Sequence, residues 1–372
     1  MDYYFFRRNL YTIQYIFEYD GHLDAALLES HLQKAVKIFP AVGARMQFVS
    51  DKEVVFETGG SIAMTKTVLP AEFANLSPEN VATLVRPINN TAGEPLLSVH
   101  VTFTPKRSFI GFSFSHMLGD GKSTFQFLTE LSNLCVKGAV DSTPFDAREI
   151  LLLGDGEFHG RASDELFAAT GYVLPKPPAP PSQVLETIHY SNSDLETLRA
   201  DFSRRGIAVS RNDIIMADLA KKFHTDIPLH EGKFIIRCPV DYRGIFGLPE
   251  NYFGNAIRDA VAVFEPDVLE EMKLEDVAIK IRQAIAGVDS AAVRNSLQCL
   301  NALREQEGFN VFEDVGCPGL IVTNWTKFPI PKMDFGIGAP QNFYHASINP
   351  RLAIILPASN GVEVRFKRPQ RL

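Results

Sequence analysis

Residues 96–136 constrain the fold more than any other stretch. Leu96–Phe103 and Ser108–Ser115 are apolar runs with the alternation of β-strands, separated by the turn-like Thr104-Pro105-Lys106-Arg107. The second run, ending Phe112-Ser113-Phe114-Ser115, passes straight into His116-Met117-Leu118-Gly119-Asp120-Gly121. From about Ser123 to Val136 the spacing becomes helical, with Phe125, Leu128, Leu131 and Cys135 on one inner face. A strand pair feeding a helix through a short loop is the grammar of a mixed α/β layer, and it sets a histidine at the end of a rigid strand.

The same grammar recurs on both sides of a proline-rich bridge, Pro175-Lys176-Pro177-Pro178-Ala179-Pro180-Pro181-Ser182, whose composition favours a stiff, extended connector. Three regions follow: an N-terminal domain over 1–170, a linker over 171–186 and a C-terminal domain over 187–372. In the first domain, Tyr11–Tyr19 reads as a strand. Leu23–Ile38 reads as a helix with Leu27, Leu28, Leu32, Ala35 and Phe39 on its buried stripe, and Phe39-Pro40 ends it. Short strands are expected at Met46–Val49 and Val54–Glu57, with Gly59-Gly60 as a hairpin turn. In the second domain the pattern predicts helices at Asp194–Arg204, Arg211–Phe223 and Val277–Ala286. Strands are expected at Phe234–Pro239, Leu320–Asn324, Leu352–Pro357 and Val362–Phe366.

The 372 residues are enough for two cores, and 45% apolar with 22% charged residues is the make-up of a globular protein. A net charge of -7 excludes the broad basic face of a nucleic-acid binder, and the basic tail Arg365–Arg371 reads as a solvated end. No apolar run reaches transmembrane length, and the N-terminus from Met1 to Arg8 lacks the plan of a signal peptide. Cys135, Cys238, Cys299 and Cys317 form no paired motif, so neither a metal site nor a disulfide framework is expected. The expectation is a cytoplasmic monomer with no nucleic-acid and no membrane partner.

His116 is the side chain best suited to chemistry, because a neutral imidazole both takes and returns a proton near neutral pH. A strand-end histidine bonded only to backbone is the plain alternative. Asp120 is placed to cap the helix that follows, and Gly121 to allow a tight turn. No G-x-S-x-G elbow is present, nothing ties a cysteine to His116, and Asp155-Gly156-Glu157 reads as an exposed turn.

Four separated segments resemble the coenzyme-A-dependent acyltransferases of plants and fungi called BAHD, within the chloramphenicol-acetyltransferase-like superfamily. They are Ile38-Phe39-Pro40-Ala41-Val42-Gly43-Ala44-Arg45, then Ser115–Gly121, then Val240-Asp241-Tyr242-Arg243 with Asn251–Ala256, and last Thr323-Asn324-Trp325-Thr326 leading into Asp334-Phe335-Gly336-Ile337-Gly338. The order is that of the family. Ile337 stands where relatives usually carry Trp, Asp2 lies close to where a first-strand aspartate would sit, and both ends look short. The resemblance implies two acetyltransferase-like domains, each a mixed sheet with flanking helices, and an active-site channel at their interface. It implies His116 as general base, Asp120 as a structural residue paired with an arginine, and Asp334 paired with Arg243 away from the reacting atoms, with Gly336 in the same supporting turn. Thr323, Asn324 and Trp325 are candidates for the oxyanion and substrate, core packing being the other role for Trp325. Lys122 and Ser123 are candidate coenzyme A contacts.

The implied reaction moves an acyl group, expected to be acetyl, from acyl-CoA to a hydroxyl or amine of a small secondary metabolite. It runs through a ternary complex with no acyl-enzyme and no permanently bound cofactor. The look of residues 324–329 is closer to fungal members. Three alternatives stand beside it: a condensation-like domain using carrier-tethered thioesters, another base-catalysed reaction, and non-catalytic metabolite binding. A condensation domain usually shows two adjacent histidines, and Ser115 takes the first place here.

Overall fold

The computed structural model describes residues 12–50, 53–74, 76–151, 162–173, 183–305, 316–346 and 351–369. Asp2, the Asp155-Gly156-Glu157 turn and residues 174–182 of the proline-rich bridge lie outside these.

Two mixed sheets carry the fold. The first contains β1 (Thr12–Asp20), β4 (Met64–Val68), β5 (Leu97–Phe103), β6 (Arg107–Ser115) and β11 (Asn342–Tyr344), in the order β11-β1-β6-β5-β4. All its pairings are antiparallel except β4 with β5. The second contains β7 (Gln183–Ser191), β8 (Phe234–Asp241), β9 (Ile257–Phe264), β10 (Leu320–Asn324), β12 (Leu352–Ala358) and β13 (Gly361–Pro369), in the order β7-β13-β12-β10-β8-β9. Its centre is parallel, β12 to β10 to β8, and its flanks are antiparallel. The hairpin of β2 (Arg45–Ser50) and β3 (Glu53–Glu57) stands apart.

β1 and β6 are buried almost end to end, as strands are when both faces are covered. Tyr15, Phe17 and Tyr19 point into the main core, while Ile16 joins a satellite cluster with Val81, Leu84, Val85 and Phe109. The helix Gly121–Lys137 packs beside Ala25–Ile38. Asp24 caps the latter by accepting the Ala26 and Leu27 N–H groups, and Phe39 ends it before Pro40. Leu28, Leu32, Ala35 and Phe39 are buried as the stripe predicts. Leu27 is not; it is 43% exposed, and Val36 and His31 fill that face instead.

The sequence-based elements hold within a few residues, with several corrections. Gly59-Gly60 is not a hairpin turn, because β3 pairs back to β2 and the glycines connect β3 to β4 in the other sheet. The connector expected over 171–186 is shorter at both ends. Val173 exchanges backbone hydrogen bonds of 2.9 Å with Gly316. Residues 183–186 already belong to β7, where Ile188 and Tyr190 turn inward at the two-residue period. The basic tail is no loose end through residue 369, since it forms β13 between β7 and β12. The helices Ala162–Thr170 and Ser290–Glu305 and strands β4, β9 and β11 were not anticipated.

Residues 325–344 of the second half cross onto the first sheet. Tyr19 donates its hydroxyl to Met333 O at 2.7 Å. Phe335 is buried against Phe17 and Phe112. β11 then pairs with β1, matching Phe343 to Phe17. Among the described residues no helix is long and apolar enough to cross a membrane. None of them forms a cluster of three or more His, Cys, Asp or Glu that could hold a metal ion.

Candidate active site

β6 ends at Ser115, and the chain turns at once: Leu118 N–H bonds Ser115 O at 3.0 Å, and Met117 and Leu118 are fully buried. Arg148 grips the turn from outside, donating to Met117 O at 3.1 Å and to Leu118 O. This fixes His116 on the wall of a cavity of about 800 Å³ that both halves line, Phe125 and Gln126 from one and Thr323, Trp325 and Phe328 from the other.

Asn255, buried on the second half, sets the state of the ring. Its Nδ2 donates to His116 O at 2.9 Å, which turns its Oδ1 toward His116 Nδ1 at 3.0 Å. A carbonyl oxygen only accepts, so Nδ1 carries the hydrogen and Nε2 is the unprotonated nitrogen of the neutral ring. Such an imidazole can take a proton from a ligand hydroxyl or amine. Asn255 lies within the family-like stretch Asn251–Ala256, where nothing in the sequence marks its role; only the fold brings it to His116.

Asp120 caps the helix Gly121–Lys137, accepting Ser123 N–H at 3.0 Å. It also accepts Ala256 N–H at 2.9 Å and both terminal nitrogens of Arg243, at 2.9 and 3.0 Å. Arg243 is 0% exposed and spends its remaining donors on Asp241, Ser123 Oγ and the carbonyls of Tyr252 and Gly254. Burial opposes its charge, but Asp120 and Asp241 outweigh that and hold its pKa above the ordinary value. The expected partnership of Arg243 with Asp334 is therefore corrected. Asp334 lies in a turn over residues 334–338, where its Oδ1 accepts the backbone N–H groups of Gly336, Ile337 and Gly338 at 2.8, 3.0 and 2.8 Å. Gly336 sits there at φ +90, a conformation that favours glycine. Asp334 N–H bonds Ser132 Oγ, so the turn braces the 121–137 helix, and Asp334 and Gly336 do not line the cavity. Ile337 is half-buried against the core.

Gly121 serves close approach rather than a special turn, since a Cβ there would lie 2.8 Å from Phe328 Cζ. Ser123 is corrected as a coenzyme A contact. It is fully buried, and its hydroxyl is held by Arg243 and by the Gly254 N–H and carbonyl. Lys122 does line the cavity, half-exposed, paired with Asp241 at 3.1 Å and Glu250 at 2.7 Å.

Thr323 and Trp325 sit together on the opposite half. Trp325 is mostly buried, in an aromatic group with Tyr15, Phe328 and Phe343, and it still forms part of the cavity wall. Its Nε1–H donates to Thr323 Oγ1 at 3.2 Å. Asn324 borders the cavity, but its amide is taken up by Asn212 and by the N–H and hydroxyl of Thr326, a local turn. His345, unmarked in the sequence, lies on the same wall with its ring against Trp325.

Three comparisons bear on this arrangement. The profile of the Transferase family matches residues 62–365. Hydroxycinnamoyltransferase 2 of Oryza sativa subsp. japonica is 25% identical over 390 aligned residues, covering 96% of this chain and 86% of that one. A hydroxycinnamoyl-CoA:5-hydroxyanthranilate N-hydroxycinnamoyltransferase of Avena sativa is 24% identical, covering 92% and 82%. Among solved structures, F. sporotrichioides TRI101 complexed with coenzyme A and T-2 superposes with a TM-score of 0.76 at 16% identity, covering 99% of this chain and 94% of that one.

Proposed function

The chain belongs to the Transferase family, the BAHD acyltransferases, and from that premise we propose that it passes an acyl group from coenzyme A to a hydroxyl or amine of a small metabolite, with His116 as general base. The observation that carries the proposal is the Asn255 clamp, which makes Nε2 the basic nitrogen of a ring on the cavity wall.

In the proposed reaction the acceptor O–H or N–H gives its proton to His116 Nε2 as the heteroatom attacks the thioester carbonyl. The new C–O or C–N bond forms a tetrahedral oxyanion. Its collapse breaks the C–S bond, and the coenzyme A thiolate leaves with the proton returned from Nε2. Base catalysis of this kind typically supplies about 10²–10⁴-fold. Because Trp325 Nε1–H is committed to Thr323 Oγ1, the Thr323 hydroxyl keeps its own hydrogen to offer an oxyanion, and Thr323 rather than Trp325 takes that role.

Transfer is taken to run in a ternary complex, as the family resemblance implies. Burial pushes the thiols of Cys135 and Cys238 up to about 12, and neither lines the cavity; Cys317 does border it. The halves over 1–170 and 187–372 hold the two substrates between them, with residues 325–344 of the second serving the first. The relatives' names include both a hydroxycinnamoyl donor and an amine acceptor, so acetyl-CoA and 4-coumaroyl-CoA are the donors to compare, each with an alcohol and an amine. Free coenzyme A released with an acceptor and abolished by His116→Ala is the expected result. Release that survives His116→Ala, or its absence with every donor, overturns the proposal.

A further inference from the structure

His345 is a polar side chain of the cavity wall that no described residue satisfies. Its Nδ1 is buried with no hydrogen-bond partner among the described residues and is sealed from the cavity, so the ring nitrogen left to meet a ligand is Nε2; the ring lines the cavity with its centroid 5.2 Å from that of Trp325. The position is built, not accidental. His345 directly follows β11, which the buried Glu18 holds by accepting Asn342 Nδ2 at 2.9 Å and the Tyr344 hydroxyl at 2.6 Å. Glu18 is itself anchored by Arg107 at 2.5 Å. Burial, reinforced by Arg365 and Lys367, pushes the imidazole down to about 3, so the ring is neutral at physiological pH.

A neutral imidazole has one donor and one acceptor nitrogen, and a hydroxyl can meet either because it donates and accepts. Apolar and aromatic side chains, Ile13, Phe125, Trp325 and Phe328, also line the cavity, with the Thr323 hydroxyl among its polar groups. A ring-bearing ligand fits such a surface. We propose that His345 selects the substrate, hydrogen-bonding a hydroxyl on a ring-bearing ligand at a point away from the acylated group. This rests on the cavity being the acyl-transfer site, and it adds a specificity residue to it. A hydroxylated ligand bonds the reachable Nε2, whereas its unhydroxylated twin strips water from that nitrogen and gives nothing back.

The test uses the full chain and a matched pair of probes, 4-ethylphenol and ethylbenzene. Trp325 is the single tryptophan of the chain, so its fluorescence reports on the ring next to His345. The phenol is expected to bind about tenfold tighter than the hydrocarbon, the worth of one buried hydrogen bond. In His345→Phe, which keeps an aromatic face and removes both nitrogens, that preference vanishes while ethylbenzene binds as before; His345→Gln restores part of it. His116→Ala keeps the preference and loses transfer, so the failure of the reaction and the failure of this site give different results. Equal binding of the two probes to the unaltered protein, a preference that persists in His345→Phe, or a Trp325 signal that neither probe moves overturns the inference.

Discussion

Asp120 and His345 are both polar side chains on the wall of one cavity, and they stand in opposite conditions. Asp120 has each oxygen occupied by the helix it caps, by Arg243 and by Ala256. His345 has a buried nitrogen that no described residue meets. A satisfied buried ion belongs to the architecture, where its charge is cancelled and its geometry locked. A buried neutral nitrogen without a partner carries a cost that the rest of the fold must offset. His116, the proposed base, shares a feature with each. One edge of its ring is fixed by Asn255, and the ring borders the cavity.

Substitutions can break this contrast. The largest effect is expected at His116, where His116→Ala should lower kcat by about 10²–10⁴-fold with little change in melting temperature, measured by coenzyme A release. Removing one side of the buried pair comes next. Arg243→Ala leaves the Asp120 charge without its counter-ion and should cost about 3–5 kcal/mol in denaturant unfolding. Asp120→Asn with Arg243→Gln together should recover part of that loss; if the double change is as harmful as the sum of the two, the pair is not coupled as described. Thr323→Val keeps shape and removes the hydroxyl. It should reduce kcat by about 10²–10³-fold while leaving stability near its starting value.

Acid sensitivity distinguishes His345. Its pKa is held down to about 3 in the native state, whereas the unfolded chain protonates it near the ordinary value of 6.5. Between those limits the unfolded state binds the extra proton, so stability falls as pH falls, by about 1.4 kcal/mol per pH unit for this group. His345→Phe should remove that slope, read from urea midpoints between neutral and acidic buffers. His31 and His100, also held low mainly by burial, should keep a residual slope. Least of all, Lys122→Met breaks pairs that are well exposed to solvent and should change stability by less than about 1 kcal/mol.

Elements whose period is written in adjacent residues were legible from sequence. The alternation of 108–115 and the helical stripe of 123–136 each declare themselves locally, so the position of His116 at a strand end needed no tertiary knowledge. β11 is three residues long, too short to show a period, and it exists only because β1 offers an edge. The Arg243 partner was misassigned for a related reason. Asp120, Asp241 and Asp334 are all plausible on charge, and the choice depends on the 334–338 turn consuming its own carboxylate. His345 carries no motif, and Asn255, though inside a family-like segment, has nothing in the sequence that marks its role. Their importance comes from what the folded chain brings beside them, a ring nitrogen in one case and, among the described residues, no partner for Nδ1 in the other.

The crossing of β11 onto the first sheet has a mechanical consequence. The two halves are laced together on both sides of the cavity, by the Asp120–Arg243 joint and by β11 tied down through Glu18. A clamshell swing would have to tear a strand from its sheet and strip a buried ion of its counter-charge in the same stroke. Opening between the halves is therefore resisted at two separate places, and the joint is stiffer than one resting on side-chain packing alone.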